Sequence, residues 1–213
     1  MSPHAGPGPG PDPNPDNVVG NFEDKYASQN PIARLLVGGF LDAVTELFVL
    51  AEPGARRVLE VGCGEGKLAT HLIQNAPTPA RYLATDVSLE TLAPRVDPRI
   101  EFETASIYAL PFATDSFDIV VCCEVLEHLE RPEQGLAELS RVAAHRVLLS
   151  TPWEPVWRLM NMARGKYLRA LGNTPGHIQH FTRRELTTLA ATYLDLREVR
   201  TPLPWTAILG QPV

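Results

Sequence analysis

Three cysteines, 19 basic residues and no apolar run long enough to cross a bilayer are all this 213-residue chain offers where several protein classes would declare themselves. Cys122 and Cys123 are adjacent in an apolar stretch and Cys63 stands between glycines, so the spacing of a disulfide framework is missing. The bases are outnumbered by 25 acids, leaving a net charge of −6, which argues against nucleic acid as a partner. The local cluster Arg158, Arg164, Lys166 and Arg169 reads as a solvated helix face. No charged-then-apolar leader opens the chain, and no membrane span is present. The expectation is a soluble, cytoplasmic protein. Nothing in the composition indicates an oligomeric state.

What the chain does carry is concentrated in residues 58–66, Val-Leu-Glu-Val-Gly-Cys-Gly-Glu-Gly. A short apolar run holding one acid, Glu60, meets glycines at 62, 64 and 66, and a helix-forming segment from Lys67 follows. This is the pattern of a buried strand, a turn too tight for side chains, and a helix start with free backbone N–H groups. At the carboxyl end of a strand, such a turn is where open α/β sheets bind nucleotide-like cofactors. A dinucleotide fold calls for G-x-G-x-x-G facing a pyrophosphate. Here the spacing is G-x-G-x-G with Glu60 and Glu65 beside it, and acids suit a cationic ligand better than a pyrophosphate.

Around this turn the chain alternates strand and helix. Residues 1–17 are rich in Pro and Gly with little to bury and read as a disordered tail, leaving 18–213 as one domain. Asn30 caps a helix starting at Pro31, with Ile32, Leu35, Leu36, Phe40, Leu41, Val44, Leu47 and Phe48 on one face, running to about Leu50. Strands are expected at Arg57–Val61, Tyr82–Thr85, Ile100–Glu103, Phe117–Cys123 and Arg146–Ser150. Helices are expected at Lys67–Asn75, Pro132–Val142 and, capped by Ser88 and stopped by Pro94, a short one to Leu92. A basic, aromatic helix from Glu154 to Leu171, closed by Gly172, comes next, and another follows from Thr182 to about Tyr193. Leu196–Val199 and Thr206–Leu209 read as a terminal antiparallel pair. The fold class is α/β: a doubly wound, mostly parallel seven-stranded sheet, helices on both faces, an antiparallel last strand and a helical insertion after strand five.

Asp86 ends the second strand about twenty residues beyond the turn, where Rossmann-like folds place an acid on ribose hydroxyls. An Asx turn before Ser88 is the structural alternative. Ala105-Ser106-Ile107-Tyr108-Ala109-Leu110-Pro111-Phe112 with Asp115-Ser116-Phe117-Asp118, and then Cys123-Glu124-Val125-Leu126-Glu127-His128-Leu129, complete a series of four motifs in order. Together these resemble the class I S-adenosylmethionine-dependent methyltransferases, over about residues 56 to 151.

The resemblance implies S-adenosylmethionine as cofactor, in a core of 56–151 covered by an N-terminal helical cap (18–51) and a helical lid (152–181), with a C-terminal helix and hairpin at 182–213. It implies cofactor contacts from Glu60, Gly62, Cys63, Gly64, Gly66, Asp86, Val87, Ser106, Ile107, Cys123 and Glu124, and from Tyr26 ahead of the cap. Ser106 stands where the family has an aspartate for the adenine amine, which leaves a weaker hydrogen-bonding partner for the adenine there. Glu60 is a costly residue to bury in an apolar strand without a partner, and the ammonium of the cofactor supplies one.

The acceptor is expected to be a small molecule, with His128 or His180 as the base if one is needed. Trp153, Trp157, Met160, Met162 and Tyr167 of the insertion, with Asn173, His177 and His180, are the candidates around it; His71 and His145 are expected only to pack. One alternative stays open. Glu124, Glu127 and His128 at i, i+3 and i+4 share a helix face, and with His177 they are similar to the metal site of the 2′-O-methyltransferases acting on small-RNA 3′ ends. The same run also occurs in metal-free relatives, so no metal is assigned. A cofactor-binding module without turnover is a further alternative, and an NAD-type oxidoreductase fits the turn poorly.

Overall fold

In the computed structural model, residues 30–51, 54–163, 165, 170–174 and 176–213 are described. The 1–17 tail, Tyr26, Arg164, Lys166, Tyr167 and Arg169 lie outside the described residues.

Helix α1 spans Pro31–Ala51 and begins where Asn30 Oδ1 accepts the amides of Ile32 (2.9 Å) and Ala33 (3.4 Å). Strands β1 (Arg57–Val61), β2 (Arg81–Asp86), β3 (Ile100–Thr104), β4 (Phe117–Cys123), β5 (Ala143–Pro152), β6 (Leu194–Arg200) and β7 (Trp205–Pro212) form one sheet in the order β3-β2-β1-β4-β5-β7-β6. The pairs among β1 to β5 are parallel and both pairs made by β7 are antiparallel, as expected. Helices α2 (Lys67–Asn75), α3 (Pro132–Val142), α4 (Glu154–Ala163) and α5 (Arg183–Ala190) complete the regular elements among the described residues. None of these helices is long and apolar enough to cross a membrane.

Alternation along the strands builds two cores. Leu59, Val61, Leu83, Val120, Cys122, Val147, Leu149 and Ile208 face α3 and α5, meeting Leu136, Leu139, Leu186 and Ala190. Val58, Tyr82, Ala84, Ile119, Val121, Cys123, Leu148 and Leu209 face α1 and α2, meeting Phe40, Val44, Leu47, Leu68 and Leu72. Glu60 shares the parity of Val58, so the one acid of β1 points to the α1/α2 side.

Three expectations are corrected. The segment after Ser88 makes a single turn, with Leu92 N on Leu89 O at 3.3 Å, because five residues before a proline cannot offset the nucleation of a helix. Helix α4 stops at Ala163 rather than Leu171, because residues 171–174 fold back onto it. Asn161 Nδ2 donates to Gly172 O (2.9 Å) and Arg158 Nε to Leu171 O (3.1 Å). Gly172 is therefore no helix stop: with φ 78° it lets the chain lie against α4, and a Cβ there would strike the carbonyl of Arg158. Finally, the apolar stripe of α1 outruns the surface it covers. Phe40, Val44, Leu47 and Phe48 are buried and Leu41 half-buried, whereas Ile32 and Leu35 are 66% and 76% exposed.

Candidate active site

The glycine turn sits where β1 ends between β2 and β4. Gly62, Gly64 and Gly66 all have positive φ (79°, 50° and 71°), which is the reason this spacing takes glycine. Its amides are not free. Gly62 N and Cys63 N donate to Thr85 O (2.7 and 2.9 Å), Gly64 N to Asp86 Oδ2 (2.7 Å) and Gly66 N to Cys63 O (2.8 Å). The turn is thus held by β2 and by its own Cys63 carbonyl, and its glycines leave a floor without side chains. Glu65 is also removed from the electrostatics, since Lys67 Nζ pairs with it at 2.9 Å. The Cys63 thiol is raised by burial, so its backbone and not its sulfur chemistry belongs to the site.

Glu60 is the charge that counts. It is 2% exposed, and among the described residues its side-chain partner is the Tyr82 hydroxyl, which donates to Oε2 at 2.6 Å. Burial pushes its carboxyl up to about 7; the Tyr82 hydrogen bond lowers it in part and the neighbouring Asp86 charge raises it. The sign of the consequence follows from linkage. Folded Glu60 keeps its proton between 4.5 and about 7 while the unfolded chain loses it, so stability falls as pH rises through that window and is level above it. The fall is about 3 kcal/mol at 1.36 kcal/mol per unit. Thermal melts of the ligand-free protein at pH 5 and pH 8 should register it, and Glu60→Gln should flatten that component.

At the end of β2, the Asp86 carboxylate faces the turn. Oδ2 is taken by Gly64 N, and among the described residues Oδ1 has only the 3.4 Å approach of Ser88 N, so the Asx turn leaves this oxygen able to accept. Val87, next to it, is 41% exposed, an apolar surface beside an open carboxylate. Beyond β3, Ser106 is exposed and its Oγ accepts Tyr108 N at 3.3 Å. Ile107 instead turns into the α3-side core; its Cδ1 lies 3.3 Å from where a Cβ on Gly135 would stand.

The exit of β4 forms the other half of the site. Cys123 is buried on the α1/α2 side, and Glu124 follows with φ 62°, a conformation few side-chain-bearing residues adopt. Its amide donates to Ser150 O (3.0 Å); Ser150 Oγ and Trp205 Nε1 donate to its carboxylate at 3.2 and 2.7 Å. The expected shared helix face is thereby corrected. Glu124 is pulled toward β5 and β7, and only one 3-10 turn, Leu126–His128, follows. Glu127, His128 and His177 do converge, with ligand-capable atoms within 4.8 Å of one another.

Both imidazoles there are held from behind. His128 Nδ1 lies 2.8 Å from Gly176 O and His177 Nδ1 lies 3.1 Å from Glu154 Oε1, which leaves the Nε2 of each as the accepting atom. His177 and Glu154 are both buried. Trp157 of α4 packs against this group: its Nε1 donates to Thr174 Oγ1 (2.8 Å) and its ring stacks 6.3 Å from His177. Trp153 carries Arg183 over its ring at 3.7 Å and so packs rather than lines. His180 is exposed, with Nε2 on Asn173 Oδ1 at 2.9 Å. His71 bonds Thr45 Oγ1 (3.1 Å), a packing role as expected.

Tyr82, Glu154, Ser150 and Trp205 are the site residues that sequence reasoning missed. Only Glu154 left a signal, an acid opening an otherwise apolar helix. The others depend on which strands pair.

Comparison with known proteins agrees with this geometry. Residues 59–149 match the family described as "Methyltransferase domain". The chain is 31% identical to the mitochondrial ubiquinone biosynthesis O-methyltransferase of Schizosaccharomyces pombe, over 52% of this chain and 43% of that protein. It is 36% identical to methyltransferase GfsG of Streptomyces halstedii, over 40% of this chain and 33% of that one. It thus spans less than half the length of these curated relatives. Among solved structures, magnesium protoporphyrin IX methyltransferase of Synechocystis PCC 6803, which holds S-adenosylhomocysteine, superposes with a TM-score of 0.61 at 16% identity, over 87% of this chain and 89% of that one. That likeness speaks for the fold alone. By its motifs, its strand order and the domain match over residues 59–149, the chain is similar to the class I S-adenosylmethionine-dependent methyltransferases.

Proposed function

We propose that this protein transfers a methyl group from S-adenosylmethionine to a small-molecule acceptor. One observation carries the reading: beside a glycine turn whose amides at 62, 63, 64 and 66 are spent lies a buried carboxylate, Glu60, with no basic side chain bonded to it among the described residues. A buried acid there disfavours a pyrophosphate and suits an ammonium-bearing adenosine derivative. When bound, S-adenosylmethionine supplies the methyl group and a sulfonium that leaves as a neutral thioether. The chain's own work is orientation and exclusion of water. Glu60 holds the ammonium, Asp86 Oδ1 the ribose, and the apolar surface of Val87 lies beside the base. Residues of the lid, Trp157 foremost, keep the β4–β5 edge dry. The acceptor lone pair attacks the methyl carbon in line with the breaking carbon–sulfur bond, and a proton on the acceptor passes to His128 or His180 if the acceptor carries one. One relative is by its name an O-methyltransferase of ubiquinone biosynthesis, which supports a small acceptor class. The test is methyl transfer from labelled cofactor across a metabolite panel, read by mass spectrometry; a protein that binds cofactor yet labels no acceptor would support the non-catalytic module instead.

A second reading is favoured by the convergence of Glu127, His128 and His177. Imidazoles anchored through Nδ1 to a carbonyl and a carboxylate are the usual metal-facing arrangement, so these three side chains fit a divalent cation. The cation would supply a Lewis acid for adjacent hydroxyl oxygens of the acceptor, as at an RNA 3′ end. If the metal-free reading holds, dialysis against EDTA leaves activity unchanged and RNA 3′ ends are not labelled. Loss of activity restored by a divalent ion, with labelling of RNA, would establish the second reading.

A further inference from the structure

Tyr82 has no part in the family motifs, yet its hydroxyl is the donor that touches Glu60. Strand parity explains how. Tyr82 pairs in register with Val58, and Glu60 lies two residues further along β1 on the same face, so the phenol reaches diagonally across the β1/β2 pair. Both groups are buried beneath α1 and α2. The titratable neighbours of the carboxylate are Tyr82 and Asp86 from β2, Cys63 from the turn and Cys122 from β4, and Cys123 lies beside Tyr82. None of them carries a positive charge, and the helices above contribute apolar side chains to this core. A lone carboxylate in such a place has several rotamers and no reason to prefer the one that faces the crevice. The 2.6 Å hydrogen bond fixes Oε2 and leaves Oε1 to accept.

We infer that Tyr82 is a positioning residue: it aims Glu60 at the ammonium of the cofactor and so governs capture of the amino-acid arm, while the adenosine half is held independently at Asp86. The inference rests on the methyltransferase reading of this crevice. It also implies proton linkage. Ligand-free Glu60 is largely protonated below neutrality, since burial pushes it up to about 7, and an arriving ammonium expels that proton. Affinity for an ammonium-bearing ligand therefore rises with pH up to about that value and levels off above it. Removing the phenol takes away the one hydrogen bond that favours the ionised form, which moves the inflection upward.

The test is calorimetry on the wild-type chain, Tyr82→Phe and Glu60→Gln with two probes, S-adenosylhomocysteine and 5′-methylthioadenosine, which lacks the amino-acid arm. Titrations run from pH 6 to 8.5 in buffers of different ionisation heat. The expected result for Tyr82→Phe is about tenfold weaker S-adenosylhomocysteine binding at pH 7, a hydrogen bond to a charged group being lost. Its pH inflection should move upward, with methylthioadenosine affinity unchanged. Glu60→Gln should abolish both the inflection and the proton release. Equal weakening of both probes, or an inflection that Tyr82→Phe does not move, overturns the inference while leaving the cofactor reading intact. A wild-type chain that binds neither probe overturns both. Retained methylthioadenosine binding certifies that each variant is folded.

Discussion

Gly62→Ala is expected to remove about 2–5 kcal/mol of stability, combining an overpacked contact with a side chain forced into left-handed backbone. The added Cβ would land on Cγ2 of Val125, and the residue would have to keep φ near 79°. Gly62 is where the end of β1 abuts the exit of β4, so the same carbon that crowds Val125 also displaces the cofactor floor from the acceptor edge. The two components can be separated. Val125→Ala removes the clashing methyls, so the double variant should recover the packing part, a coupling of about 1–3 kcal/mol in a double-mutant cycle. The backbone part should persist. Urea denaturation of the four proteins measures both, and a Gly62→Ala variant within 0.5 kcal/mol of wild type, below the expected range of about 2–5 kcal/mol, would contradict this packing.

Asp86→Ala is the second large effect, this time on binding. Oδ2 tethers the glycine turn through Gly64 N at 2.7 Å, and the other oxygen is the proposed ribose acceptor. Losing two charge-assisted hydrogen bonds weakens S-adenosylmethionine binding by about 2–4 kcal/mol, roughly 30- to 1,000-fold. Asp86→Asn separates the roles: its amide oxygen can still accept Gly64 N, so the turn holds and stability changes little, while the ribose loses a charged acceptor. An alanine variant that binds like wild type would mean that Asp86 serves the turn alone.

How much of this was legible depended on whether the cause was local. The glycine turn, β1, β4 and the cap at Asn30 were readable because an apolar β-branched run, positive φ and a capping side chain are properties of a few neighbouring residues. Strand ends were read short, as at Ala143 and Pro152 of β5, because ladder hydrogen bonds continue where the apolar pattern stops. Helix α4 was read too long: residues up to Leu171 suit a helix, and only the return of the chain through Asn161 and Gly172 ends it. The pairing of Glu124 with Trp205 spans 81 positions, and that of Glu60 with Tyr82 depends on β1/β2 register. Periodicity does not encode either. For the same reason a helix face was expected from Glu124 to His128, where a left-handed residue and one 3-10 turn stand instead.

The central claim is that a buried acid and a donor-poor glycine floor select an adenosine bearing a positive charge. Calorimetry of the full chain against S-adenosylmethionine and NADH tests it most directly. A dissociation constant within the range of about 1 µM to 1 mM common for enzyme substrates is expected for the first, and no heat for the second. Binding of NADH, or of neither, would contradict it.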